Sequence, residues 1–444
     1  MQSELCDMIV TGECLISQDE SRPVLTGGVA VAVKEGKVAA FGKRSEVLTE
    51  WRSGDVRDLG ESLLMPGLVN AHTHVPMTFL RGFADDLPLM EWLTRHIFPV
   101  EAHLTREIVA LGARMGMYEM MRTGTTSFVD SYLLEESVLE TALSMGMRCV
   151  GGEVVFAFPS PAYSGMEGAA ELYRNHAERF PAGSRVQTAL MPHSVYTTND
   201  DVLASCRDLA EELDLMLHIH LSESSGEVAQ SCEQHGGRRP VSYAADMGLL
   251  SSRSVLAHMV DLTDSELELV ARSGAQVVHN PASNLKLASG FARVDEMRSA
   301  GVSVALGTDG ACSNNTLDMF ETMKLAALLS KGSTLDATSM PAADALRMAT
   351  VDGARIFRTP GLGTLSVGAP ADMIALDLTE PNMIPVFNPV SHAVYSASGK
   401  DCIMTMVDGK ILYEKGCYLD GCYEDTRLAL GDLVGWVRDR AAGK

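Results

Sequence analysis

Between residues 63 and 309 the chain repeats one pattern eight times: a short apolar or β-branched run followed by a connecting stretch, usually helical. The runs end near 72 (LLMPGLVNAH), 130 (TTSFVD), 153 (MRCVGGEVVF), 193 (VQTALMPHS), 220 (LMLHIHLSE), 258 (SVLAH), 279 (AQVVHN) and 309 (VSVALGTD). Stretches such as REIVALGARMGMYEMMRTG, DDVLASCRDLAEEL and DSELELVARSG, which lie between them, carry helical periodicity. Strands separated by helices pair in parallel, and continuous apolar runs suit strands buried on both faces. Eight such units predict an α/β protein built on a (β/α)8 TIM-type barrel. The methionines of MGMYEMM fall at helical spacing and read as core rather than as soft-metal ligands.

The flanks differ from this middle. GGVAVAVKEGKVAAFGK and DCIMTMVDGKILYEKGCYL each place two strand-like runs around a turn, Glu35-Gly36-Lys37 in the first and Asp408-Gly409 in the second. Two β-rich ends predict one small composite β-sandwich domain. It takes residues 1–62 from the N-terminus and 359–444, with a terminal helix, from the C-terminus; the barrel occupies 63–358.

The formal net charge is -22. Such a surface repels polyanions, so no nucleic-acid partner and no membrane partner is expected. The N-terminus lacks a signal-peptide pattern and no run of about 18 apolar residues occurs. Nine cysteines are scattered without a CxxC pair, which suits a reducing compartment. The expectation is a cytoplasmic protein and a homo-oligomer.

Barrel enzymes keep their chemistry at the C-terminal ends of the strands. Here those ends offer His72 and His74, Asp130, Glu153, His193, His220, His258, His279 and Asp309, so five strands end in histidine in a chain with twelve. At this frequency chance gives about 0.3 HxH patterns. Side chains at i and i+2 share a strand face, so His72 and His74 can converge on one ion. In the second HxH, His220 lies at the strand end before LSES, while His218 sits within the apolar LMLHI. Three imidazoles plus Asp309 would suit a catalytic divalent ion with room for water, most simply zinc. The alternative for Asp309 is a turn residue before Gly310. His279 and Asn280 either line the pocket or anchor the seventh loop.

These motifs resemble those of the amidohydrolase superfamily, in its cytosine deaminase and triazine hydrolase branch. The stretches that carry the resemblance are PGLVNAHTHVPMTFLRGFADDLPLMEWLTRHIFPVE, PHSVYT, HIHLSES, VLAHMVDL, VVHNPASNLKLASG, GTDGACSNNTLDMFETMK and GTLSVGAPADMIALD. Within that branch the chain is most similar to the methylthioadenosine/adenosylhomocysteine deaminases. The resemblance implies a hydrolytic deaminase that converts an adenosine-type nucleoside to the inosine analogue and ammonia. It places the metal on His72, His74, His220 and Asp309. It makes Glu223 the proton shuttle, His258 the residue beside the activated water, His193 a substrate contact and Glu101 the ribose-binding carboxylate. The fourth strand lacks the lysine that would bridge a second metal, so one ion is expected. Alternatives are deamination of another amino-purine nucleoside such as aminodeoxyfutalosine, of guanine- or triazine-type bases, or a non-catalytic scaffold. Glu153 falls where relatives acting on adenosylhomocysteine place an arginine, and there it would repel a carboxylate tail.

Overall fold

The structure, a computed structural model, describes residues 3–442. Among these residues the predicted alternation forms eight parallel strands. They are β1 (Leu68–Thr73), β2 (Thr125–Tyr132), β3 (Arg148–Val155), β4 (Val186–Thr188, continued at Met191–Pro192), β5 (Leu217–Leu221), β6 (Ser254–His258), β7 (Gln276–His279) and β8 (Ser303–Leu306). Strands β1 to β4 pair in one ladder and β5 to β8 in another. The halves meet where Leu190 pairs with Leu217 and Ser194 with His220. At the opposite seam the Asp309 amide donates to the His72 carbonyl at 2.9 Å. Asn70 also brackets Thr308 there, accepting from its amide at 2.9 Å and donating to its hydroxyl at 2.7 Å. Hydrogen bonds thus link the segment just past the last strand to the first strand, and the chain has a TIM-barrel fold.

Helix starts follow the capping signals in the sequence. Thr105, Asn199 and Thr263 accept from the first-turn amides of the helices Arg106–Arg122, Asp200–Glu212 and Asp264–Ser273, and Glu266 completes a capping box with Thr263. A layer of Val69, Ala71, Val129, Val150, Val255, Val278 and Ala305 packs against Ile356, Phe357 and Leu362. Fully burying each larger aliphatic side chain contributes about 1.5–3 kcal/mol. This filled interior leaves the strand ends to carry polar groups. Buried Met117, Met120 and Met121 on Arg106–Arg122 are core, as their spacing suggested.

The two chain ends share one sheet. Its order runs from Cys417–Tyr418 through Lys410–Glu414, Cys402–Val407, Met373–Asp377, Ser62–Pro66, Met8–Ile16 and Val24–Lys34 to Lys37–Lys43, with Val56–Asp58 also on Met8–Ile16. The expected composite is therefore a single sheet, and it curls until the two hairpin turns meet. The Ala371 amide donates to the Gly36 carbonyl at 2.8 Å, and a Cβ on Gly36 would lie 2.9 Å from the Asp408 carbonyl oxygen. Ser62–Pro66 lies in this sheet and β1 begins at Leu68, so we propose Gly67 as the crossing point between the two units. Any side chain at Gly67 would collide with Thr126 at 2.1 Å. The buried Arg148 at the start of β3 pairs with Asp372 at 2.8 Å and ties barrel to sheet. No helix among the described residues is long and apolar enough to cross a membrane.

Candidate metal and catalytic site

Of the residues singled out at the strand ends, His74, His193, His220, His258 and Asp309 line one cleft of about 620 Å³, its opening to solvent included, and His72 is fully buried beside Asp309. His74 Nε2 lies 3.3 Å from Asp309 Oδ1, His72 Nε2 lies 3.5 Å from the same oxygen, and His74 and His220 Nε2 are 3.2 Å apart. The ligating atoms of His72, His74 and His220 all fall within 4.8 Å of one another, as do those of His72, His258 and Asp309.

The hydrogen bonds fix what these nitrogens present. His74 Nδ1 donates to the Ser131 carbonyl, and His220 Nδ1 donates to the His193 carbonyl at 2.7 Å. A carbonyl can only accept, so both protons sit on Nδ1 and both Nε2 lone pairs face the same point. Burial holds His220 well below the usual imidazole range and His72 down to about 4, which keeps their lone pairs free. Both ring nitrogens of His72 are buried without a hydrogen-bond partner. Facing lone pairs beside a carboxylate are mutually repulsive unless a cation lies between them. The donor set therefore fits one divalent ion, with the outer nitrogens of His74 and His220 anchored as metal-binding imidazoles require.

Asp309 is held from both sides: Ser283 Oγ donates to Oδ2 at 2.6 Å, and the Gly310 amide to Oδ1 at 2.8 Å. Its backbone is left-handed (φ 63°), as is that of His258 (φ 77°). Such conformations cost of order 1–3 kcal/mol away from glycine, and here they turn both side chains into the cleft. His258 Nδ1 donates to Asn284 Oδ1 at 2.8 Å, which leaves Nε2 facing Glu223 Oε2 at 3.9 Å. Burial opposes the charge on His258, yet the nearby carboxylates of Glu223 and Asp309 raise its pKa on balance. Burial also raises the pKa of Glu223, with His258 opposing the shift. Glu227 accepts from the amides of Ser222 and Glu223 at 3.0 and 2.6 Å and so fixes the turn carrying Glu223.

The far wall of the cleft is apolar, with Trp92, Leu93, Ile97 and Phe98 from one segment and Val154 and Phe156 from β3 and its loop. Glu101 is the buried acid in that wall, and burial raises its pKa. His193 lines the cleft, its ring 5.1 Å from Phe156 and its Nδ1 3.0 Å from Thr197 Oγ1. Among the described residues no lysine or arginine lines the cleft.

The other residues singled out in the sequence fall outside the converging group. His218 stacks on the His72 ring, centroids 4.9 Å apart, inside its strand as the apolar run suggested. His279 lines a separate cleft with Phe291 and Asp295, while Asn280 stays near the site with its amide nitrogen 3.5 Å from His258 Nδ1. Glu153 does not face substrate space: its carboxylate accepts from the Leu134 and Glu135 amides at 3.1 and 2.8 Å. The proposed repulsion of a carboxylate tail by Glu153 is therefore withdrawn. Sequence reasoning missed Asn284, Ser283 and Glu227, because asparagine, serine and glutamate at a helix start are ordinary capping residues.

A (β/α)8 barrel with imidazole and carboxylate donors at its strand ends belongs among the metal-type barrel hydrolases. More narrowly, the chain is a member of the amidohydrolase family, whose profile matches residues 63–412. It is 51% identical over 433 residues to the 5-methylthioadenosine/S-adenosylhomocysteine deaminase of Nitratidesulfovibrio vulgaris strain Hildenborough, covering 98% of this chain and 96% of that protein. The 5'-deoxyadenosine deaminase of Methanothermobacter thermautotrophicus is 41% identical over 396 residues, 88% of this chain and 91% of its own. A crystal structure of an adenosine deaminase from Xanthomonas campestris with bound zinc superposes with a TM-score of 0.94 at 35% identity, covering 100% of both chains.

Proposed function

We propose that the protein is a zinc-dependent deaminase that converts adenosine-type nucleosides to the inosine analogue and ammonia. The observation that carries this reading is the pairing, in one cleft, of converging imidazole lone pairs with the buried carboxylate of Glu101. His72, His74, His220 and Asp309 would hold the ion. When bound, such an ion supplies Lewis-acid activation of water, bringing its pKa to about 7. Asp309 takes the proton as the water oxygen bonds to C6. Glu223 delivers its proton to N1, takes up the proton of the new C6 hydroxyl and passes it to the departing amine, so the C6–N bond breaks as the C6 carbonyl forms and ammonia leaves; the proton on Asp309 then returns to Glu223. His258, its Nδ1 proton tied to Asn284, keeps Nε2 directed at the attacking oxygen and steadies the charge that develops there. Glu101 accepts from both ribose hydroxyls, and His193 contacts the base. The same proposal includes a cytoplasmic homo-oligomer acting on free nucleosides rather than on nucleic acid. The net charge of -22, nine unpaired cysteines and the exposed Phe387 and Ile384 support it.

The apolar wall favours an uncharged 5' group. A homocysteine tail would place its carboxylate against a lining without a cation, and an uncompensated charge costs at least about 1–3 kcal/mol. The expected kcat/KM for 5'-methylthioadenosine or 5'-deoxyadenosine therefore exceeds that for adenosylhomocysteine by about tenfold or more. A panel of adenosine derivatives assayed for ammonia checks this; a preference for adenosylhomocysteine contradicts it, and activity only on free bases or triazines displaces the nucleoside reading. Glu101→Gln should lower kcat/KM for ribosides by about 10- to 100-fold, since hydrogen bonds to a charged group contribute about 1.5–3 kcal/mol. An unchanged KM for adenosine would remove Glu101 from ribose recognition.

A further inference from the structure

A second group of acids lies behind the cleft, where the mechanism makes no use of it. Asp130, Glu135 and Glu153 are all buried at the C-terminal ends of β2 and β3. Asp130 Oδ1 accepts from the Thr73 hydroxyl at 2.7 Å and from the Val75 amide at 2.6 Å. Those donors flank His74 in the chain, and the residue after Asp130 supplies the carbonyl that holds the His74 ring. Two consecutive residues of β2 thus grip His74 from both sides of its backbone and from its outer nitrogen.

Glu135 explains how Asp130 keeps its place. Asp130 Oδ2 and both carboxylate oxygens of Glu135 are buried without a hydrogen-bond partner, and burial, together with the charge of the neighbouring Asp130 carboxylate, pushes the Glu135 acid well above its usual range. Two ionised carboxylates would repel in that position, whereas a carboxylic acid on Glu135 supplies the missing donor. The site is shaped for this contact, because a Cβ on residue 151 would fall 2.3 Å from Glu135 Oε1 and only Gly151 leaves room. Glu153 completes the arrangement by accepting from the Leu134 and Glu135 amides.

We propose that Asp130, steadied by Glu135, is a positioning residue that sets the direction of the His74 lone pair and so the affinity of the metal site. This rests on the reading of His74 as a metal ligand. Groups that orient metal-binding side chains typically change affinity by about 10- to 100-fold when replaced.

Zinc affinity of the full-length protein, measured by competition with a chromogenic chelator, tests it with His74→Ala as the reference. Asp130→Leu keeps the size and removes the acceptor, and should weaken zinc binding about 10- to 100-fold. Asp130→Asn can accept from Thr73 and Val75 while donating to Glu135, and should recover most of that loss. Thr73→Val deletes one arm of the grip at constant shape and should weaken binding severalfold, which keeps the test decisive if Asp130→Leu does not fold. Wild-type zinc affinity in folded Asp130→Leu, or in Thr73→Val if Asp130→Leu does not fold, overturns the proposal. Wild-type affinity in His74→Ala overturns the metal reading beneath it.

Discussion

Stripped of metal to below detection, the protein releases no ammonia from 5'-methylthioadenosine, and added zinc restores turnover. The expectation follows from the site's own bonds. His74 and His220 have each committed their Nδ1 proton to a backbone carbonyl, so their Nε2 atoms, 3.2 Å apart, have only lone pairs to offer each other. Asp309 Oδ1 adds negative charge at 3.3 Å from one of them. Without an ion to lower its pKa, water is a poor nucleophile at neutral pH. Elemental analysis alongside the assay checks this, and full turnover at undetectable metal content would remove the mechanism.

The second large effect concerns Glu223. Glu223→Gln should retain the metal and lower kcat about 10²–10⁴-fold, the range that proton transfer by a placed side chain contributes. Glutamine keeps the shape and hydrogen-bonding reach but cannot carry a proton from water to N1 and the amine. The turn itself survives the change, since Glu227 grips the backbone amides of Ser222 and Glu223 rather than the Glu223 side chain. Metal content and kcat measured on one preparation decide the matter. Wild-type kcat would move the shuttle elsewhere, and loss of metal would recast Glu223 as part of the ion's surroundings.

The barrel was legible because its signal is repetitive: apolar runs of near-constant length, each closed by a polar residue. The candidate metal donors were legible for a related reason. Period-2 spacing puts His72 and His74 on one strand face, and His220 marks a strand end. What the sequence hid depends on backbone geometry. The left-handed conformations at His258 and Asp309 turn these residues into the cleft, and no local pattern announces them. Glu153 shows the opposite failure. Its strand-end position suggested substrate contact, but the loop after β2 folds back and offers it two amides. His279 ends its strand as the others do, yet it faces a separate cleft beside Phe291. Residues such as Asn284 and Ser283 act on the site only because a short helix after β7 brings them under it, a tertiary relation that spacing does not encode.

The most direct test of the central claim is to load the protein with one zinc per chain, add 5'-methylthioadenosine, and quantify ammonia together with the nucleoside product. The account predicts one ammonia and one methylthioinosine for each nucleoside consumed. Unchanged nucleoside, or free adenine without ammonia, would contradict it.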